Sequence, residues 1–314
     1  MKKGDYKLPG TLSTPVLFLI FNRPKLTSHV FKAIQKVKPL RLFIAADGPL
    51  ADRPDDADLC NRARKIATAV DWECEVNTLF RERNLGCQRA VSSAIDWFFE
   101  NVDEGIILED DCLPHQTFFW FCQELLERYK DDERIFVISG NNFQKGQKRT
   151  EYSYYFSLFN HCWGWATYKR AWQYFDFDLR LWPKINQEKY LPDILADKNT
   201  YNYWKKIYQD VFDGKINSWA YRWTFACWVQ SGLSVLPKIN LVQNIGFGKD
   251  ATHTKGNGSI ESLPAHAMDF PLDHPPVMIR NVQADQFTQQ NHFGNPSLLC
   301  KTIMSCLRIA GLKS

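Results

Sequence analysis

Residues 105–108 (Gly-Ile-Ile-Leu) run straight into Glu109-Asp110-Asp111, so an apolar segment ends in three consecutive carboxylates. Held together, such groups repel one another unless a cation joins them. A divalent cation bridging carboxylate and diphosphate satisfies both sets of charges. It would also stabilise a departing nucleoside diphosphate where negative charge develops. The plain alternative is a solvated acidic turn, and a buried strand ending at a cleft is what favours the cation. Asn22-Arg23, Asp47-Gly48 and Asn141-Asn142 follow other apolar runs in the same way.

The elements that must carry these clusters alternate in type. Residues 16–21 form an uninterrupted apolar run, as in a strand buried on both faces. Helical spacing follows at Val30, Ala33, Ile34 and Val37, then a second apolar run over 40–46 stops at Asp47-Gly48-Pro49. Residues 58–70 read as helix, 75–80 as strand, 87–99 as helix and 105–108 as a short buried strand. Pro114 is expected to open a helix reaching about residue 129, and 135–138 make a fifth strand. This alternation implies an α/β fold with a mainly parallel, doubly wound, Rossmann-like sheet. Ligands of such sheets bind beyond the carboxyl ends of the strands, where all four polar clusters fall.

Beyond residue 150 the pattern changes to an aromatic-rich half, dense in Trp and Tyr over 152–182 and 201–228. Residues 244–262, rich in Gly, Asn and Thr, read as a mobile loop. Residues 264–276 continue irregularly, and 297–312 read as a basic amphipathic helix with Leu299, Ile303, Leu307 and Ala310 opposite Lys301 and Arg308. That helix could rest on an anionic membrane or pack on the main body.

Composition narrows the classes. A 45% hydrophobic content fills a sizeable core in 314 residues, and the net charge of +4 suits phosphorylated ligands without calling for nucleic acid. Nine scattered cysteines without a Cys-x-x-Cys pair read as reduced thiols of a cytoplasmic protein, not as a disulfide frame or zinc site. After Met1-Lys2-Lys3 comes Gly4-Asp5-Tyr6-Lys7 where a signal peptide needs an apolar run. No P-loop motif is present.

Residues 107–114 (Ile-Leu-Glu-Asp-Asp-Cys-Leu-Pro), followed by Phe118-Phe119-Trp120-Phe121, resemble N-acetylglucosaminyltransferase I and its bacterial relatives. The resemblance extends in order through residues 21–24, Asp47-Gly48-Pro49, Asn84-Leu85-Gly86, Gly164-Trp165 and residues 244–248. It implies a GT-A fold and an inverting glycosyltransferase with a Glu-Asp-Asp form of the Asp-x-Asp motif, using Mn2+ or Mg2+. The donor implied is a nucleotide-sugar, with UDP favoured, and the acceptor is a hydroxyl of a glycan or glycoconjugate. By position, Asp111 would ligate the metal, and Glu109 and Asp110 would face the donor sugar and ribose. Arg23 and Asp47 would hold the base end, with Arg89 beside it or the diphosphate, and Asn141 joins the donor set. Trp165 would line a sugar pocket. Residues 244–254, with Gly248 and His253, would close over the donor. The implied layout is a GT-A domain over 1–262, split into donor and acceptor halves near residue 150, with residues 263–314 as an extension.

An inverting transferase needs a general base at the acceptor hydroxyl. The resemblance puts Asp after the first Trp of Ser218-Trp219-Ala220-Tyr221-Arg222-Trp223, where this chain has Ala220. Either another carboxylate serves, with Asp176, Asp178 and Asp213 next in line, or activity is lost, or an engineered substitution removed the base. The intact remainder favours the last. Two other functions stay open: a catalytically silent sugar-nucleotide-binding protein and a metal-dependent phosphohydrolase, whose signature is phosphate release without an acceptor.

Overall fold

In a computed structural model, residues 11–246 and 263–293 are described. The first half runs β1 (Val16–Ile20), α1 (Pro24–Val37), β2 (Arg41–Ala46), α2 (Asp56–Ala67), β3 (Glu75–Phe80), α3 (Cys87–Asn101) and β4 (Glu104–Glu109). Then come β5 (Cys112–Pro114), α4 (Gln116–Tyr129), β6 (Ile135–Ser139), β7 (Tyr154–Ser157) and β8 (Trp165–Tyr168). Short helices α5 (Lys169–Trp172), α6 (Trp182–Gln187) and α7 (Leu191–Ile194) lead to α8 (Lys198–Phe212) and α9 (Trp219–Val229). The described chain ends with β9 (Leu233–Pro237), β10 (Val242–Asn244), α10 (Val282–Thr288) and a π-turn at Gln289–Phe293.

Eight strands form one sheet in the order β3-β2-β1-β4-β8-β6-β9-β7. The β3/β2, β2/β1, β1/β4 and β6/β9 pairings are parallel, while β8 and β7 run antiparallel to their neighbours. The expected α/β, mainly parallel, Rossmann-like sheet is thus observed, and its antiparallel strands come from the aromatic-rich half. The expected fifth strand, β6, does not lie beside β4, because β8 inserts between them. Every residue of β1 is buried, as its unbroken apolar run requires.

The chain steps outward from β1 to β3 and then returns to the far side of β1 to form β4. Right-handed crossovers therefore put α1 and α2 on one face and α3 on the other. The contacts agree: α1 packs on α2 and α4, while α3 packs on α5 and α9. The direction reverses between β1 and β4, which opens a crevice at their carboxyl ends. Leu19 pairs with Glu109 there, so the turns after β1 and β4 face each other across the crevice.

One expectation is corrected. Pro114 ends strand β5 rather than opening α4, and His115 caps the helix by accepting the Thr117 N–H. Residues 263–293 are bonded to the main body. His266 N–H donates to Asn240 O at 2.8 Å, Ser153 N–H donates to Asp273 O at 2.8 Å, and Arg280 bridges Phe156. The amphipathic helix expected over 297–312, and with it the membrane contact, lies outside the described residues. Among the described residues no helix is long and apolar enough to cross a membrane. All seven described cysteines are free thiols.

Candidate functional site

The glutamate-aspartate-aspartate triplet occupies the predicted place, with Glu109 closing β4 and Asp110-Asp111 turning out of the sheet. Opposite stands Arg23, the residue before Pro24. Proline disfavours helix at its predecessor, so Arg23 stays at φ −116° while α1 begins behind it. Arg23 Nη1 donates to Asp111 Oδ2 at 2.9 Å, and Nη2 pairs with Asp110 Oδ1. The Phe21 N–H also donates to Asp110, at 3.3 Å. Asp110 is buried and doubly held; Asp111 keeps more of its side chain open to the cleft.

Burial opposes the charge on Arg23, but Asp110 and Asp111 outweigh it and raise its basicity. Burial first, and Asp111 second, push the Glu109 carboxyl well above its usual range. Burial likewise raises Asp110, against the pull of Arg23. One guanidinium therefore faces three carboxylates, and the Glu109 carboxyl accepts no hydrogen bond among the described residues. That excess of negative charge fits a divalent cation. Among the described residues no three His, Cys, Asp or Glu side chains converge as a ready cage. The donor set suits a hard cation that takes an oxygen or two from the protein and the rest from phosphate and water.

A segment from the second half passes over this cluster. Strand β10 pairs antiparallel with β5, and the Ile245 N–H donates to Asp111 O at 2.8 Å. A Cβ on Gly246 would stand 2.3 Å from Asp111 Oδ2, so only glycine lets the backbone cross there. Gly248 and His253, just beyond, lie outside the described residues, as does the rest of the expected closing loop.

Two cavities meet at the cluster. One, of about 330 Å³, is an apolar slot at the ends of β1 and β2, walled by Ile20, Ala46, Ala90 and Val91 and reaching Glu109 and Asp110. The other, of about 680 Å³, runs from Glu109 and Asp111 to the first turn of α9, where Ala220 lines it. Arg23, Cys87, Glu109 and Asn217 border both. Burial pushes the Cys87 thiol up to about 12 and Cys162 higher still, so neither offers a thiolate nucleophile.

The remaining predicted residues fall elsewhere. Asp47 borders the slot, but its carboxylate accepts the N–H groups of Gly48 at 2.9 Å, Leu85 at 2.9 Å and Gly86 at 3.1 Å. It clamps the turn after β2 to the entry of α3. Arg23 borders the slot as well and faces the carboxylates at its end. Arg89 is exposed on α3 with its guanidinium 4.4 Å from the centre of the Phe177 ring, and lines neither cavity. Asn141 is fully buried, donating to Val242 O at 3.3 Å and accepting the Trp163 N–H at 3.1 Å. These contacts tie the turn after β6 to β10 and to the segment before β8, and its side chain lines neither cavity.

Trp165 is 1% exposed within β8, stacked on Trp219 at 5.8 Å and touching Trp172 and Trp223. The expected sugar-facing position is not observed: this ring is packed among Trp172, Trp219 and Trp223, and the ring lining the cavity is Trp163, which precedes β8. Trp165→Ala is accordingly expected to cost about 3–5 kcal/mol of stability, read as a drop in the denaturant midpoint. An unchanged midpoint would restore a surface role.

Sequence reading missed the far wall of the larger cavity, where Phe143, His161, Trp163, His292 and Phe293 meet. His161 and His292 are separated by most of the second half, and no spacing rule links them. Burial lowers both imidazoles, His292 to about 4, so both are neutral near pH 7.

No protein-family model and no curated protein matches this chain. Among solved structures it is similar to HddC from Yersinia pseudotuberculosis, at 12% identity over 55% of this chain and 86% of that one, with a TM-score of 0.31. A UDP-glucose pyrophosphorylase complexed with UDP-glucose is 10% identical over 75% of this chain and 94% of that one, TM-score 0.37. The UTP-bound UGPase from Acinetobacter baumannii is 8% identical over 95% and 99%, also with a TM-score of 0.37. At these identities and scores, function has to be argued from the site's own geometry.

Proposed function

We infer that this chain is an inverting, metal-dependent glycosyltransferase scaffold of GT-A type whose donor is a nucleoside-diphosphate sugar, with UDP favoured. The observation that carries this is the pair of joined cavities at the switch point, with the carboxylate cluster where they meet. The apolar slot suits a nucleoside, because aliphatic side chains make most of its wall for a base and Asp47 and Asp110 border it for polar contacts. Asp111 and Arg23 stand where a diphosphate would leave the slot. Glu109 stands at the mouth of the larger cavity, where the donor sugar would lie.

The acceptor then approaches from the α9 side. Its hydroxyl loses a proton to a base and attacks the anomeric carbon from the face opposite the leaving group. The bond to the diphosphate breaks, its electron pair stays on the phosphate oxygen, and the anomeric configuration inverts. Mn2+ or Mg2+ held by Asp111, when bound, would supply Lewis-acid stabilisation to that oxygen. The chain's own part is to bind the nucleoside, orient the sugar against Glu109 and exclude water by burial.

Ala220 supports a second reading, a sugar-nucleotide-binding protein without turnover. A methyl group cannot take a proton, and Glu109 and Asp111 are the only carboxylates among the described residues lining the larger cavity. Asp176 and Asp213 do not line it. Asp176 accepts from the Asp178 and Arg180 N–H groups, and Asp213 pairs with Lys215 at 2.7 Å.

Both readings require the slot to hold a nucleotide. Calorimetry across UDP, GDP and dTDP with Mn2+ is expected to show UDP binding, weakened more than about tenfold by Ala90→Phe, which fills the slot. Equal affinity in that variant, or no nucleotide bound, would overturn the nucleoside assignment.

A further inference from the structure

His161 is 3% exposed, and its buried Nε2 has no hydrogen-bond partner among the described residues. Such an orphan is costly and uncommon in a well-packed interior. It lies in the wall of the larger cavity, beside His292 at 5.9 Å between ring centres and Phe143 at 4.3 Å. The π-turn places Phe293 next to His292, their rings 4.4 Å apart. Several contacts hold that turn in place. Arg280 and Ser157 grip Asp285, Gln144 donates to Thr288 at 2.9 Å, and Trp204 donates to Gln289 at 2.8 Å. The chain thus builds a rigid wall of rings around an unsatisfied imidazole nitrogen.

We propose that Phe143, His161, Trp163, His292 and Phe293 form the acceptor subsite, and that it takes an uncharged, hydroxyl-rich saccharide. This rests on the transferase reading for the word acceptor, but not for the saccharide. A neutral imidazole has one donor and one acceptor nitrogen, which matches a hydroxyl group that both donates and accepts. Aromatic faces pack on the C–H faces of a pyranose. Charge argues against an anionic ligand. The two cations among the described lining residues are engaged, Arg23 with Asp110 and Asp111, and Lys215 with Asp210 and Asp213.

Saturation-transfer NMR of the full chain with cellobiose, maltose and chitobiose, set against a glucuronate-containing disaccharide, tests this, with UDP calorimetry run in parallel. At least one neutral disaccharide is expected to bind in preference to the uronate. Its affinity should fall about tenfold or more in His161→Leu and in Phe293→Ala, while His161→Gln, which keeps a polar nitrogen near the Nε2 position, retains most of it. Unchanged UDP affinity in each variant shows that the fold persists. UDP binding without any disaccharide binding, equal disaccharide binding by His161→Leu, or preference for the uronate overturns the subsite. Disaccharide binding that depends on His161 but without UDP binding leaves the subsite standing and removes the transferase reading instead.

Discussion

Ala220→Asp is expected to raise sugar transfer by about 10²–10⁴-fold, the usual contribution of a positioned base, with donor affinity little changed. The position is favourable for a carboxylate on three counts. Ala220 lines the cavity that also contains Glu109 and Asp111, so a short acid there faces the space between donor and acceptor. It is the second residue of α9, where unpaired N–H groups and the helix dipole stabilise negative charge. It is only partly buried, so the added atoms need not displace core. The same dipole favours the ionised form, so the new carboxylate is active at neutral pH. Activity should fall as the medium is acidified through its pKa, because the protonated acid cannot accept the acceptor's proton. The measurement is initial rate for both chains with a nucleotide-sugar already shown to bind. A normal rate with Ala220 and no gain in Ala220→Asp would place the base elsewhere.

What could be read from residues alone follows from how local the signal is. The unbroken apolar runs of β1, β2 and β4 and the cluster at 109–111 are contiguous in sequence, so both the strands and the place of the carboxylates were legible. What is not legible depends on partners far away in the chain. The β1/β4 pairing brings Asp110 and Asp111 opposite Arg23, which no local spacing announces. The entry of α3 supplies two of the three N–H donors to Asp47, Leu85 and Gly86, beside the adjacent Gly48. Trp163 lines the cavity while Trp165 is buried, because Trp163 precedes β8 and Gly164 between them takes a left-handed φ of 73°, a turn that residue spacing does not reveal. The antiparallel insertion of β8 between β4 and β6 leaves no mark in hydropathy, since both parallel and antiparallel central strands are apolar. The histidine wall was invisible because tertiary packing alone unites its members.

Asp111→Asn is expected to abolish the gain in nucleotide-sugar affinity that Mn2+ or Mg2+ gives the unchanged protein. The carboxylates explain both the gain and its loss. Glu109 and Asp110 are raised by burial and by the charge of Asp111, with Arg23 the sole cation among the described residues paired with the cluster. A diphosphate entering beside them adds negative charge to a site already in excess, so without a metal its binding should be weak. A divalent cation joins the two sets of oxygens and turns repulsion into attraction. Asp111 is the residue placed to do this: 16% of its side chain is exposed against 2% for Asp110. Asn keeps the shape and one oxygen but removes the charge, so the fold and the metal-free affinity should survive while the metal-dependent part, about tenfold or more, disappears. Gly246 offers a control, because a Cβ there would press on the Asp111 carboxylate at 2.3 Å. Gly246→Ala should then reduce the same metal-dependent gain without altering the charge. Calorimetric titration of the UDP-sugar with Mn2+ and with chelator decides the matter, and equal affinities in the two conditions for the unchanged protein would remove the metal from Asp111.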